Sequence, residues 1–183
     1  MHTLHMVAVK VDIDTVFGNP IGAVKDEASR EVHSTLIGEE RPYATWYDWF
    51  IVGGGRFSEG DAYSDSHDNA IAYHDDPEKF IAEMDKVLGW RKETATRMLD
   101  ALKSKDFDFT NAVETALDEN KESRFDHDLW SALELSKIAS GYWTPDSHFF
   151  DLANGTASNE YILKDIEEGR GHEWVLVPVD FHH

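Results

Sequence analysis

Two apolar runs at opposite ends of the chain constrain its fold more than any other feature. Residues 4–13 read LHMVAVKVDI and residues 173–181 read EWVLVPVDF. In the first, His5, Val7, Val9, Val11 and Ile13 fall on one side of an extended chain and Met6, Ala8, Lys10 and Asp12 on the other. That is the period-two signature of a half-buried strand. The second run carries Pro178, which has no N–H to give a ladder, so this strand is expected at a sheet edge or at a break in pairing. A third run, WYDWFIV at residues 46–52, is aromatic and β-branched and ends in Gly53, Gly54 and Gly55. It reads as a strand buried on both faces that enters a tight turn of the kind glycine permits.

The segments between these strands differ in character. Residues 14–42 contain the breakers Gly18, Asn19, Pro20 and Gly22 and read as irregular, with room for a short helix or strand over residues 29–36. Residues 58–76 are polar and read as a loop. Asp76-Pro77-Glu78 is a helix start, Asp at the cap and Pro at the first position. Phe80, Ile81, Met84, Val87 and Leu88 follow at helical spacing, with Gly89 as the expected stop. Ala95, Met98, Leu99 and Leu102 mark a second helix over residues 90–105. Thr110 caps a short third, and Phe125, Leu129, Leu133 and Ile138 form the stripe of a fourth, stopped by Gly141. Pro145-Asp146 and Asn154-Gly155 signal turns. Ser158 begins a helix through Tyr161, Ile162 and Ile166 that Gly169 ends. The expected architecture is a single α+β domain over residues 1–183. Its mostly antiparallel sheet is built from the N-terminal, 46–52 and C-terminal strands, and a helical insert at about residues 77–140 packs on one face.

At 183 residues the chain can bury about 70% of its unfolded surface. Hydrophobic residues at 41% and charged residues at 29% describe a globular chain, not a disordered one. There are no cysteines, which excludes disulfides, thiolate nucleophiles and cysteine-bound metals. No run of about 18 apolar residues is present. Residues 1–11 are too short and too broken by His2, His5 and Lys10 for a signal core, so a cytoplasmic location is expected. Charge is the outstanding global property: 17 Lys and Arg against 36 Asp and Glu, a net −19. Such a surface repels phosphate backbones and anionic lipid and attracts cations and basic proteins. Direct binding of nucleic acid or membrane is therefore not expected.

The strand and turn Tyr47-Asp48-Trp49 and Gly54-Gly55-Arg56-Phe57, the aromatic turn Tyr142-Trp143-Thr144-Pro145-Asp146 and the terminal Val179-Asp180-Phe181-His182 resemble a group of uncharacterised phage and actinobacterial proteins. That group has a Tyr-Asp-Trp/Tyr strand running into Gly-Gly-Arg-Trp, a Thr-Pro-Asp-Gly turn and a final Val-Asp-Cys-His strand. This chain carries one extra glycine before Arg56, Phe57 for Trp, Ser147 for Gly and Phe181 for Cys. The resemblance implies a phage-linked origin and a shared sheet core, and it implies no activity.

Three constellations can carry chemistry. Asp48 in an aromatic strand is costly to bury unpaired, and Arg56 beyond Gly53, Gly54 and Gly55 is a natural partner. The same five residues could instead bind an anion through the turn's N–H groups and Arg56. Glu59, Asp61, Asp65, Asp68, Asp75, Asp76 and Glu78, with His67 and His74 among them, make an acidic stretch without Lys or Arg until Lys79. It lacks the spacing of a calcium loop. Asp118, Glu119, Glu122, Asp126 and Asp128 extend the acidic surface along the helical insert. Asp180 and His182, two apart on a strand, share one side and suit a metal if a histidine such as His5 or His148 lies on a neighbouring strand. No catalytic residue or cofactor is expected. The leading expectation is a phage-type acidic inhibitor that mimics nucleic acid and fills the basic groove of a host restriction or CRISPR nuclease. The alternative is a small-molecule or nucleotide site, enzymatic or not, at Asp48, Gly53, Gly54, Gly55 and Arg56.

Overall fold

The computed structural model describes residues 2–37, 47–58, 66–117, 127–140, 149–151 and 156–182. In chain order the elements are β1 (His2–Lys10), α1 (Ile13–Gly18), α2 (Ile21–Ile37), β2 (Trp49–Val52), β3 (Ile71–Ala72), α3 (Pro77–Ser104), α4 (Phe109–Leu117), α5 (His127–Ser140), β4 (Phe149–Asp151), α6 (Thr156–Glu167) and β5 (Trp174–His182). The fold is α+β. Its antiparallel sheet runs β2-β5-β1-β4, with β3 also on β5. The two runs at the ends of the sequence are its centre: β1 and β5 pair in one unbroken register from His2↔His182 to Lys10↔Trp174.

Pro178 lies in this central strand and not at an edge, and the expected break explains how. On the side of β5 away from β1, β2 pairs with residues 179–182 and β3 with residues 175–176. Pro178 falls between them. Its carbonyl accepts from Gly53 N–H at 2.8 Å, so its ring nitrogen faces the same gap, where no ladder bond is lost.

Strand alternation builds two cores. One face carries Val7 and Val9 of β1 with Val175, Val177, Val179 and Phe181 of β5, covered by Val24, Ala28, Val32 and Leu36 of α2 and by Val16 of α1. The other carries Met6, Ala8, Trp174 and Leu176, covered by Phe80 and Met84 of α3 and Ile162 of α6. Each Val, Leu, Ile, Phe or Met among them, once fully buried, contributes about 1.5–3 kcal/mol. The insert packs on one face as expected. The opposite face is closed by residues 21–37, read from the sequence as irregular. There the breakers Gly18, Asn19 and Pro20 only separate α1 from α2, and apolar residues spaced four apart then hold a 17-residue helix against the sheet.

Asp76 and Pro77 start α3 as the sequence indicates, with the Asp76 carboxylate accepting from Lys79 N–H at 2.9 Å. Gly89 does not stop it: the helix runs 28 residues to Ser104. The structure puts α4 and α5 where the sequence places short helices. β4 pairs antiparallel with β1, Val7 opposite Asp151 and Val9 opposite Phe149, and α6 ends at Glu167, two residues before Gly169, whose N–H donates to Ile166 O at 3.1 Å. The turns at Pro145-Asp146 and Asn154-Gly155 lie outside the described residues.

Candidate functional site

Along one face of β1 and β5, from end to end, the paired residues are His2 with His182, Leu4 with Asp180, Met6 with Pro178, Ala8 with Leu176 and Lys10 with Trp174. Apolar residues fill the middle of this row, and titratable groups collect at both ends.

At the first end, the glycine turn folds down onto Asp180, whose side chain is fully buried. Gly55 has φ +50°, and a Cβ there would stand 2.6 Å from Asp180 Oδ2. Only a glycine fits both the backbone angle and the contact. The turn thereby delivers Arg56 N–H to Asp180 Oδ2 at 3.2 Å, while His2 Nδ1 donates to Oδ1 at 2.8 Å. Asn69 Nδ2 holds the turn from outside by donating to Gly53 O at 2.7 Å. A carboxylate that far from water needs such donors on both oxygens.

Asp48 is placed otherwise than the sequence suggested. It sits just before β2 with its side chain 72% exposed, 3.2 Å from His182 Nδ1. The buried carboxylate of this region is Asp180, and what Arg56 gives it is a main-chain N–H. Nor does His5 join Asp180. It lies on the other sheet face, its ring centroid 5.0 Å from that of Phe181. The neighbouring histidine is His2. The His2 and His182 rings stand 4.8 Å apart at 70°. Trp49 stacks on His182 at 5.0 Å and 8° and meets His2 edge-on at 5.0 Å. His148 lies outside the described residues.

At the other end, Asp165 of α6 is 2% exposed and accepts from Lys10 Nζ at 3.0 Å and Trp174 Nε1 at 3.0 Å. It also accepts from Arg170 Nη2. Burial pushes the Asp165 carboxyl upward, but the hydrogen bonds from Lys10, Arg170 and Trp174 outweigh it and hold the group below its ordinary value. Burial likewise pulls Lys10 down, and its bonds to Glu173 and Asp165 more than restore it, leaving it above the ordinary lysine value. This network locks α6 and the turn before β5 onto β1. Sequence reasoning missed it; its one trace is Lys10 on the inward side of an apolar strand.

The acidic surface is partly described. Glu59, Asp61, Asp65, Asp118, Glu119, Glu122 and Asp126 lie outside the described residues. Asp68, Asp75, Asp76 and Glu78 are exposed. The fold brings α2 alongside them. His67 Nδ1 is 3.9 Å from Asp26 and its Nε2 is 3.6 Å from Asp68. Lys25 reaches Asp75 at 3.5 Å. Arg30 binds Asp26 at 3.1 Å and Glu27 at 2.7 Å. The result is a rim from two distant segments, with cations set among the carboxylates. Asp128, on the insert, pairs with Lys105 at 2.6 Å. The two border a shallow polar cavity of about 270 Å³ that Asp106, Asp108 and Asn111 also line.

Among the described residues, no group of three or more His, Asp or Glu is arranged to hold a metal ion, and no helix is long and apolar enough to cross a membrane. Comparison with protein-family models, with curated proteins and with solved structures finds no match to the chain.

Proposed function

We propose that this chain is a phage-type acidic interaction protein that inhibits a host nucleic-acid enzyme by occupying its cationic groove. The observation that carries the reading is the net charge of −19, displayed in part on a rim where Asp26, Glu27, Asp68, Asp75, Asp76 and Glu78 meet from α2 and residues 66–78. Lys25, Arg30 and Lys79 stand among them, so each local pair is half neutralised, yet carboxylates outnumber ammonium and guanidinium groups two to one. A groove built to hold phosphates gains from such a surface by long-range attraction and by release of its own counterions. Restriction and CRISPR nucleases present such grooves. The alternative, a small-molecule or nucleotide site at Asp48, Gly53, Gly54, Gly55 and Arg56, competes with a structural role of the turn, since close approach to Pro178 and Asp180 accounts for Gly54 and Gly55.

The test is inhibition of DNA cleavage by a panel of restriction and CRISPR nucleases, measured across a salt series. Inhibition of at least one nuclease should be strongest at low salt and fade as screening shortens the Debye length from about 30 Å at 0.01 M to about 8 Å at physiological strength. The Asp68→Asn, Asp75→Asn, Asp76→Asn, Glu78→Gln variant should bind about tenfold more weakly, or about 1.4 kcal/mol. Nucleases that cleave at full rate in low salt would end the proposal.

A further inference from the structure

We propose that His2 and His182 form a two-histidine site for a divalent transition metal, zinc in the first instance. The two residues are directly opposite in the β1–β5 ladder, so their side chains leave neighbouring strands on one face. Each ring is oriented by a carboxylate through the same nitrogen: His2 Nδ1 by Asp180 Oδ1 at 2.8 Å and His182 Nδ1 by Asp48 Oδ2 at 3.2 Å. A carboxylate accepts only, so each Nδ1 carries a proton and, in the neutral imidazole that binds metal, each Nε2 presents the lone pair. Neither Nε2 has a hydrogen-bond partner among the described residues, and neither is among their buried unpartnered atoms.

This is the carboxylate–histidine arrangement that sets tautomer, aim and basicity in metal sites. The ring spacing fits as well. With metal–nitrogen bonds of about 2 Å and a tetrahedral angle, the two ring centroids of a bis-imidazole site fall roughly 5 Å apart; here they are 4.8 Å apart. Trp49 fixes both rings by stacking on one and meeting the other edge-on. His182 is 32% exposed and His2 11%, so water can reach the ion and complete its shell. Two protein ligands with open positions suit a metal that keeps exchangeable ligands. The imidazole donors favour zinc, nickel or copper over magnesium or calcium.

The experiment is a titration of the full chain, free of any affinity tag, with zinc chloride. It is followed by calorimetry and by histidine-ring nitrogen NMR. One ion should bind per chain, shifting the Nε2 signals of His2 and His182 and leaving the other eight of the ten histidines unmoved. His2→Gln and His182→Gln should each abolish the site. Asp48→Asn, on an exposed side chain, should weaken it about tenfold or more. His182 is the more exposed of the pair, so His182→Gln is decisive if His2→Gln fails to fold. Absence of binding, binding that moves other histidines, or binding retained by His182→Gln would each overturn the site.

Discussion

Gly55 and Asp180 define each other. The turn places main chain within reach of a buried carboxylate, and a methyl group on Gly55 would meet that carboxylate at 2.6 Å and sit at φ +50°. Gly55→Ala is therefore expected to destabilise the fold by about 2–4 kcal/mol, strain and displaced packing together. Urea denaturation checks this, and a cost within 0.5 kcal/mol would show that the turn is free to move away.

Asp165 governs a second residue-scale prediction. Its carboxyl is held below the ordinary value near 3.8, and Lys10 above 10.5. A depressed carboxyl stabilises the fold above its unfolded pKa, and this is lost as the pH falls through the folded one. A raised ammonium stabilises below its unfolded pKa, and this is lost as the pH rises past the folded one. Asp165→Asn should flatten the acid limb below about pH 4 and the alkaline limb above about pH 10.5. At neutral pH it should cost about 3 kcal/mol by removing the buried charge that Lys10 and Arg170 share, leaving Lys10 only Glu173, at 2.9 Å. Denaturation series at fixed pH values measure all three, and unchanged limbs would remove Asp165 from the stability balance. At this scale the sequence named Asp180 and His182 together but offered His5 or His148, and not His2, as their neighbour. Strand alternation offers both histidines of β1 as candidates, and only the register opposite β5 selects His2.

Among the elements, the strands were legible as apolar, β-branched runs, but β1, read as half-buried, is covered on both faces, by α2 on one and by α3 and α6 on the other. The central place of β5 was not legible, since a proline argues against it unless one knows that β2 and β3 leave a gap at residue 178. Helix α2 was obscured by Gly18, Asn19, Pro20 and Gly22 just before it and in its first turn, although Val24, Ala28, Val32 and Leu36 mark its buried stripe. Helix α3 shows the converse. Gly89 signals an end, but a helix interior tolerates glycine at a cost of about 1 kcal/mol, less than the packing of Phe80 and Met84 on one side and Leu102 on the other supplies. A Cβ at Gly89 would meet nothing within 4 Å. Gly89→Ala should therefore stabilise the protein by about 0.5–1 kcal/mol, seen as a higher urea midpoint with an unchanged slope. A lower midpoint would mean that the helix depends on a bend there.

For the whole molecule, the total charge was readable from composition and its distribution was not. Asp26 and Asp68 are 42 positions apart in sequence, and only the seating of α2 beside residues 66–78 sets both against His67. A surplus of 19 negative charges repels itself in the compact state. Sodium chloride screens that repulsion, so the melting temperature of the isolated chain should rise between about 0.01 and 0.15 M salt, where the Debye length falls from about 30 to 8 Å. The same ions weaken attraction to a basic groove. Salt is thus expected to act with opposite sign on fold and complex, strengthening one across the range in which it dissolves the other. If salt instead lowered the melting temperature, attractive pairs such as Asp165 with Lys10 and Arg170 would outweigh the surplus. The carboxylates would then be serving the protein's own cations, and a basic partner would find little left to hold.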